Sequence, residues 1–331
     1  MRWGLVGAST IAAQHMIGAV RATGSEIAAV VSTTRARADD FAASHAIPAA
    51  GDQLALILDD ASIGAVYISS TNEKHHAQAL AAMAAGKHVL CEKPLALTVA
   101  EAAGMVRAAH AAGVVFATNH HLRCSGSHRA IRDLIRGGRI GRVLSLRLFH
   151  AVHLPPNLQG WRINDASAGG GVIADITVHD ADVARFLLGE DPVAVVAQMG
   201  ASGMGQGVED SVMSIWTMPS GAMVQSHESF THPFAGSGLE VHGTEGSIFA
   251  RGVMTQLPVG EVELVTAQGR EPVTYSAHNL YVQGVSEFLT AVAGAGQPAA
   301  TGADGVASLA VALAVREAAR TGQRQLVKVP A

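Results

Sequence analysis

The sequence predicts an α/β protein of two domains, the first built on a parallel sheet and the second on a mostly antiparallel one. Three observations predict it. At 331 residues the chain exceeds one ordinary hydrophobic core. Up to His120 short apolar runs alternate with helical patterns, the order that builds a parallel sheet with right-handed crossovers. Beyond His121, strand-like runs follow one another across short turns such as Pro219-Ser220-Gly221 and Gly243-Thr244-Glu245-Gly246, which is the antiparallel pattern. The domains are expected at residues 1–120 and 121–331.

Arg2 to Val6 reads as a buried strand, followed by Gly7-Ala8-Ser9-Thr10-Ile11-Ala12 and a helix from about Ile11 to Ala22. This is a variant of the dinucleotide fingerprint. Gly7 makes the tight turn, Ser9 takes the place of the second glycine, and Ala12 is small enough for close helix–strand packing. The free amides of the helix start suit a pyrophosphate. A second strand over Glu26–Ser32 ends in Ser32-Thr33-Thr34-Arg35-Ala36-Arg37. An NAD site usually places a carboxylate there, on the ribose 2′-hydroxyl. Hydroxyls and guanidinium groups instead suit a 2′-phosphate, so NADPH/NADP is the expected cofactor. The plainer alternative is that Thr34 caps a helix and one or both arginines sit in solvent.

The strand Ala65–Ile68 ends in Ser69-Ser70-Thr71-Asn72-Glu73-Lys74-His75, a polar turn that opens a helix through Ala85 and suits the nicotinamide ribose side. The next strand runs into Cys91-Glu92-Lys93-Pro94. Proline stops the strand and holds Lys93 in one direction, at the sheet edge where open α/β folds bind ligands. Thr98-Val99-Ala100-Glu101 is a capping box for a helix to about Ala112, and Val114–Asn119 is a further strand.

In the second half a helix from about Ser127 to Arg136 ends at Gly137-Gly138. Strands are expected over Arg142–His150, Val193–Met199, Ser211–Met218, Ala222–Ser229, Leu239–Gly243, Ser247–Ala250 and Val262–Val265. One helix interrupts them, from Gly171 to Leu188, and two close the chain near Tyr281–Ala293 and Asp304–Thr321. The interrupting helix carries Asp175 and His179 on one face, at i and i+4. Gly169-Gly170-Gly171 before it would let backbone approach a ligand closely. The plainer reading is a satisfied polar pair, with Asp180 and Asp182 as surface charge.

Composition excludes several classes. The chain is 49% hydrophobic and 15% charged, with a formal net charge of −4 and no basic run, so nucleic acid is not an expected partner. No apolar segment is long enough to span a membrane. The first strand begins straight after Met1, which leaves no room for a signal peptide and suggests a cytoplasmic protein. Two cysteines, Cys91 and Cys124, are expected as reduced thiols. Among 16 histidines, the pairs His75-His76 and His120-His121 are adjacent rather than four apart, and no metal is expected.

The glycine-turn fingerprint, Glu92-Lys93-Pro94 on a later strand, and Asp175 with His179 on a helix together resemble the Gfo/Idh/MocA oxidoreductases over nearly the whole chain. The resemblance implies a Rossmann domain followed by an α/β domain with a large, open, mostly antiparallel sheet, and an active site between them. The stretches Trp3–Ala12, Thr118–Arg123, Leu154–Arg162 and Thr177–Asp182 carry it further. Carried over, Gly7 and Ser9, Thr10, Ile11 and Ala12 hold the pyrophosphate, and Ser32, Thr33 and Arg37 hold the 2′-phosphate. Ser70, Thr71, Asn72, Glu73, His75, Glu92, Lys93 and Asn119 line the nicotinamide end. Trp161, Arg162 and Tyr281 would reach the cofactor from the second domain. Lys93, His179 and Asp175 would be catalytic, in NADPH-dependent reduction of a sugar ketone. An inositol or sugar dehydrogenase is the alternative, and a non-catalytic nucleotide sensor is a third reading. Many relatives bury a face of the C-terminal sheet in a homo-oligomer and others do without, so that association stays open.

Overall fold

The computed structural model describes residues 1–330. Contacts within the chain form two compact units, Met1–His121 with Tyr281–Val306, and Leu122–Leu280 with residues 307–330.

The first unit alternates strands and helices: β1 (Arg2–Val6), α1 (Ile17–Ala22), β2 (Glu26–Val31), α2 (Arg35–His45), β3 (Ala49–Gly51), α3 (Ala55–Leu58), β4 (Ala65–Ile68), α4 (Asn72–Ala84), β5 (His88–Cys91), α5 (Val99–Ala112) and β6 (Phe116–Thr118). A π turn, Ala12–Met16, leads into α1. The strands form one parallel sheet in the order β3-β2-β1-β4-β5-β6. Helices cover both faces of such a sheet, which is why β4 is buried at every residue and reads as an unbroken apolar run. Strand order reverses between β1 and β4, and ligands bind outside the carboxyl ends of strands at that point. The α5 capping box is complete: the Thr98 hydroxyl accepts from the Glu101 amide at 3.2 Å, and Glu101 accepts from the Thr98 amide at 3.1 Å.

Residues 281–306 complete this unit. Phe288 lies 5.2 Å from the buried Trp3 ring. The Thr118 amide donates to Ala300 at 3.1 Å, and Thr301 bridges to Ala117.

The second unit contains α6 (Gly126–Arg136), β7 (Val143–Ala151), α7 (Trp161–Asn164), α8 (Val178–Leu188), β8 (Ala194–Gly200), β9 (Ser211–Thr217), β10 (Met223–Ser229), β11 (Ser237–Gly243), β12 (Gly246–Arg251), β13 (Glu261–Thr266) and β14 (Gly269–Pro272). The chain closes with α9 (Leu280–Val292), α10 (Gly302–Thr321) and β15 (Gln325–Leu326). The second sheet is mixed, in the order β14-β13-β12-β11-β7-β10-β9-β8-β15. Every pair is antiparallel except β7 with β10, which run parallel at its middle. In β9 the alternation is regular: Val212, Ser214 and Trp216 point into the core, while Met213 and Ile215 point out. On the covered face, Leu146, Leu148, Trp216 and Val224 share one core with Ile131 of α6 and Val178, Ala181 and Leu187 of α8. Full burial of each of these leucine, isoleucine and valine side chains contributes about 1.5–3 kcal/mol.

The segment expected as one helix over Gly171–Leu188 begins with a π turn, Ile173–Thr177, and only then becomes α8. Among the described residues, no helix is long and apolar enough to cross a membrane.

Candidate active site

Two clusters of polar residues stand out, one in each unit. The first gathers at the carboxyl ends of β1, β4 and β5. Gly7 has φ +113°, and a Cβ there would come within 2.8 Å of the Ser69 carbonyl and the Ser70 amide. Only glycine lets the first turn pass so close to the end of β4. Ser9 does more than replace a glycine. Its hydroxyl donates to Ser69 Oγ at 2.7 Å and accepts from the Ala12 amide at 3.2 Å, as a helix cap does. The first helical backbone bond runs from Ala13 to Ser9, so the Thr10 and Ile11 amides lie ahead of it, free of any intrahelical acceptor. That is a fit for the pyrophosphate of a dinucleotide.

At the end of β2, Thr34 caps α2 by accepting from the Arg37 amide at 3.3 Å. Arg35 is a surface helix residue, paired with Asp39 at 2.8 Å. Arg37 points the other way and donates to the Ala8 carbonyl at 2.9 Å, which brings its guanidinium to the fingerprint turn. It lines an open cavity of about 380 Å³ with Ala8, Asp40, Phe41, Ser44 and His45. Ser32, Thr33 and Arg37 thus share one strand end, with hydroxyls and a guanidinium where a carboxylate would select the 2′-hydroxyl.

The turn after β4 is tied to the turn after β5 through His75. Its Nδ1 lies 2.8 Å from the Pro94 carbonyl and its Nε2 3.1 Å from that of Ser70. Burial lowers its pKa, against these two acceptors. Ser70 donates to Gln78 at 2.6 Å and Thr71 to Glu73 at 2.6 Å, and the Asn72 side chain is buried. Glu92 receives Tyr67 Oη at 2.5 Å and Asn119 Nδ2 at 2.6 Å on one oxygen. Burial raises its pKa, and the two donors pull against that rise. Lys93 follows it directly and is half-buried, before a cis peptide bond to Pro94.

Tyr281, expected in the second domain, belongs to the first unit. Its ring lies between His15 at 4.6 Å and His121 at 5.3 Å, nearly parallel to both. The reason is that α9 carries apolar residues, Phe288 among them, onto Trp3. Tyr67 and His15 escaped the sequence reading. The hydroxyl of Tyr67 inside an apolar strand was the available signal, because a buried phenol needs a partner.

The second cluster lies in the second unit. Asp175, in the π turn, pairs with Arg162 Nε at 3.4 Å, and the Arg162 guanidinium stacks 4.7 Å over the Trp161 ring. His179 sits in the first turn of α8 and is 9% exposed. The glycine run before them is crowded by the protein itself. A Cβ at Gly170 would fall 2.6 Å from the Trp161 carbonyl, and one at Gly171 would meet Glu209 at 2.4 Å. Gly171 also donates to the Arg162 carbonyl at 2.8 Å. The run therefore serves to pack α7 against the start of the π turn. Asp180 and Asp182 are not surface charge, since they are 0% and 1% exposed. Asp182 is clamped by Arg123 at 2.8 and 2.7 Å.

A dinucleotide turn on a parallel sheet, a strand-end lysine, and an acid–histidine turn on a second α/β unit define an oxidoreductase class. Residues 1–120 match the model of the oxidoreductase family with an NAD-binding Rossmann fold, and residues 128–249 match the GFO/IDH/MocA C-terminal domain. The chain belongs to the Gfo/Idh/MocA oxidoreductase family. It is similar, at 54% identity over 97% of each chain, to a 1,5-anhydro-D-fructose reductase of Ensifer adhaerens. A myo-inositol 2-dehydrogenase of Thermotoga maritima is 27% identical over 79% of each chain. Among solved structures, the aldose-aldose oxidoreductase of Caulobacter crescentus, complexed with glycerol, superposes with a TM-score of 0.90 at 26% identity, covering 98% of this chain and 99% of that one.

Proposed function

We infer that the chain is an NADPH-dependent reductase that converts the 2-keto group of 1,5-anhydro-D-fructose to the alcohol, giving 1,5-anhydro-D-mannitol. The observation that carries this reading is the 54% identity to a reductase of that substrate across 97% of both chains. The site chemistry supports it. Residues 1–120 are read as the cofactor domain, with Gly7, Ser9, Thr10, Ile11 and Ala12 on the pyrophosphate and Ser32, Thr33 and Arg37 on the 2′-phosphate. Ser70, Thr71, Asn72, Glu73, His75, Glu92 and Asn119 serve the nicotinamide end. Trp161, Arg162 and Tyr281 are read as further cofactor contacts. The bound dinucleotide supplies the hydride. Lys93 hydrogen-bonds the ketone oxygen and stabilises the charge that develops there, and His179 donates the proton. Asp175, braced by Arg162, orients the sugar hydroxyls. Unmet polar partners are costly in a buried site, so several such groups can select one sugar over another.

A second reading, oxidation of an inositol or another sugar, draws on the myo-inositol 2-dehydrogenase relative. The experiment that separates them measures NADPH oxidation with anhydrofructose, glucosone and simple ketoses, and NADP⁺ reduction with inositols and glucose. Highest kcat/KM on anhydrofructose is expected. Robust inositol oxidation with no anhydrofructose turnover would overturn the reductase reading. Lys93→Met and His179→Ala should each lower kcat by about a hundredfold or more. Near wild-type turnover in both would remove them from the mechanism.

A further inference from the structure

Beneath the acid–histidine turn lies a buried group of side chains that the reaction does not use. Glu228 of β10 and His150 of β7 are register partners across the parallel pair at the centre of the second sheet. Asp180 of α8 reaches down to them, with Oδ1 3.0 Å from His150 Nδ1. A carboxylate oxygen only accepts, so the hydrogen of that bond sits on His150. Ser226 donates to Glu228 Oε1. Asp180 and Glu228 are both 0% exposed, and their carboxyl groups interact. Yet Asp180 Oδ2 and Glu228 Oε2 are buried with no donor on either. Thr177, the last residue of the π turn and fully buried, also lies beside Glu228, and its Oγ1 likewise has no partner.

Two ionised carboxylates in contact inside a core are strongly disfavoured, and one proton between them removes the repulsion and supplies the missing donor. Apart from His150, the charged and titratable groups nearby are engaged elsewhere or neutral. Arg123 and Arg185 are on Asp182, at 2.7 and 3.8 Å. His128 of α6 is buried, and desolvation first, then the neighbouring His150, lowers its pKa to about 4 against the pull of Asp182, so it is neutral.

We propose that Glu228 is a positioning residue, which as a neutral acid donates to Asp180 and so ties down the residue that follows His179 in the first turn of α8. The carboxyl pair is a bracket under the first turn of α8, and it sets where the imidazole of His179 points. Burial, and next the Asp180 charge, push the Glu228 pKa well up. The bracket is intact while that proton is held and opens as pH rises through the folded-state value. The role in turnover rests on the reading of His179 as proton donor; the shared proton does not.

Two measurements test it. Infrared spectra of the wild-type protein at pH 7 should show the carbonyl stretch of a protonated carboxylic acid, missing from Glu228→Gln. Absence of that band in the wild type overturns the shared proton. Glu228→Leu should lower kcat with anhydrofructose on the order of tenfold or more. The affinity for NADPH should not change. Glu228→Gln, whose amide can still donate, should restore most of kcat and keep it at alkaline pH, where the wild type declines. Identical pH profiles for Glu228→Gln and wild type overturn the positioning role, even if Glu228→Leu fails to fold. No turnover of any ketone by the wild type defeats the functional reading alone, and leaves the infrared result standing.

Discussion

A single methyl group at position 7 decides whether the fingerprint turn can form. Gly7→Ala places that group 2.8 Å from the backbone of Ser69 and Ser70, at a φ of +113°. A strained residue of this kind costs about 1–3 kcal/mol. We expect a lower thermal midpoint and weaker NADPH binding; a variant with unchanged melting and Kd would show that the two turns can part freely. Cofactor choice is also a residue-scale matter. Thr33→Asp puts a carboxylate beside the place read as the 2′-phosphate site, so the ratio of kcat/KM for NADPH over NADH should fall. Equal use of both cofactors by the wild type would sink that assignment. Lys93 and His179 stand out in the sequence because motif and spacing name them directly. Asp180 does not. A charged residue on an amphipathic helix reads as solvent-facing, and only the pairing of β7 with β10, set by chain far away in sequence, brings a carboxyl and an imidazole under it.

Elements were legible where their own sequence carries the physics. The α5 capping box is such a case, and Thr98→Ala should cost about 1 kcal/mol. Urea unfolding should record that loss while kcat stays at the wild-type value; no loss would mean that Glu101 and the first turn do without the hydroxyl. By contrast β3 is Ala-Ala-Gly, with no residue that favours a strand. It is extended because β2 is already there to pair with it, and the Ser32 amide finds the Gly51 carbonyl at 3.0 Å. The π turn at Ile173–Thr177 was read as ordinary helix for a related reason. Nothing in Ile-Ala-Asp-Ile-Thr marks the extra residue per turn; the packing of Gly170 and Gly171 against α7 and Glu209 fixes its entry.

For the whole molecule, buried histidines govern the acid limit of stability. Burial lowers the pKa of His75 and His88, and His128 is brought to about 4. The Nδ1 of His88 accepts from the Val115 amide at 3.0 Å, which needs the neutral ring. Unfolded, these groups take up protons near 6.5. At His128 the folded state therefore binds fewer protons between about 4 and 6.5, and that part of the stability is full above the window and lost as pH falls through it; the lowered values of His75 and His88 act in the same direction. Glu228 acts in the opposite sense, since its raised pKa costs stability as pH rises above the ordinary glutamate value of 4.5. Unfolding free energies of His128→Asn from pH 7 down to 4 should fall less steeply than those of the wild type; parallel curves would exonerate that ring. The return of residues 281–306 to the first unit has a consequence for how the protein is made. The Trp3 face and the edge of β6 must wait for Phe288 and Thr301 before they are covered. At about 5–20 residues per second, on the order of ten to thirty seconds separate synthesis of Thr118 from that of Phe288. During that delay the earliest-made part of the chain presents an unfinished apolar surface, and a nascent chain stalled before α9 is a natural client for a holding chaperone.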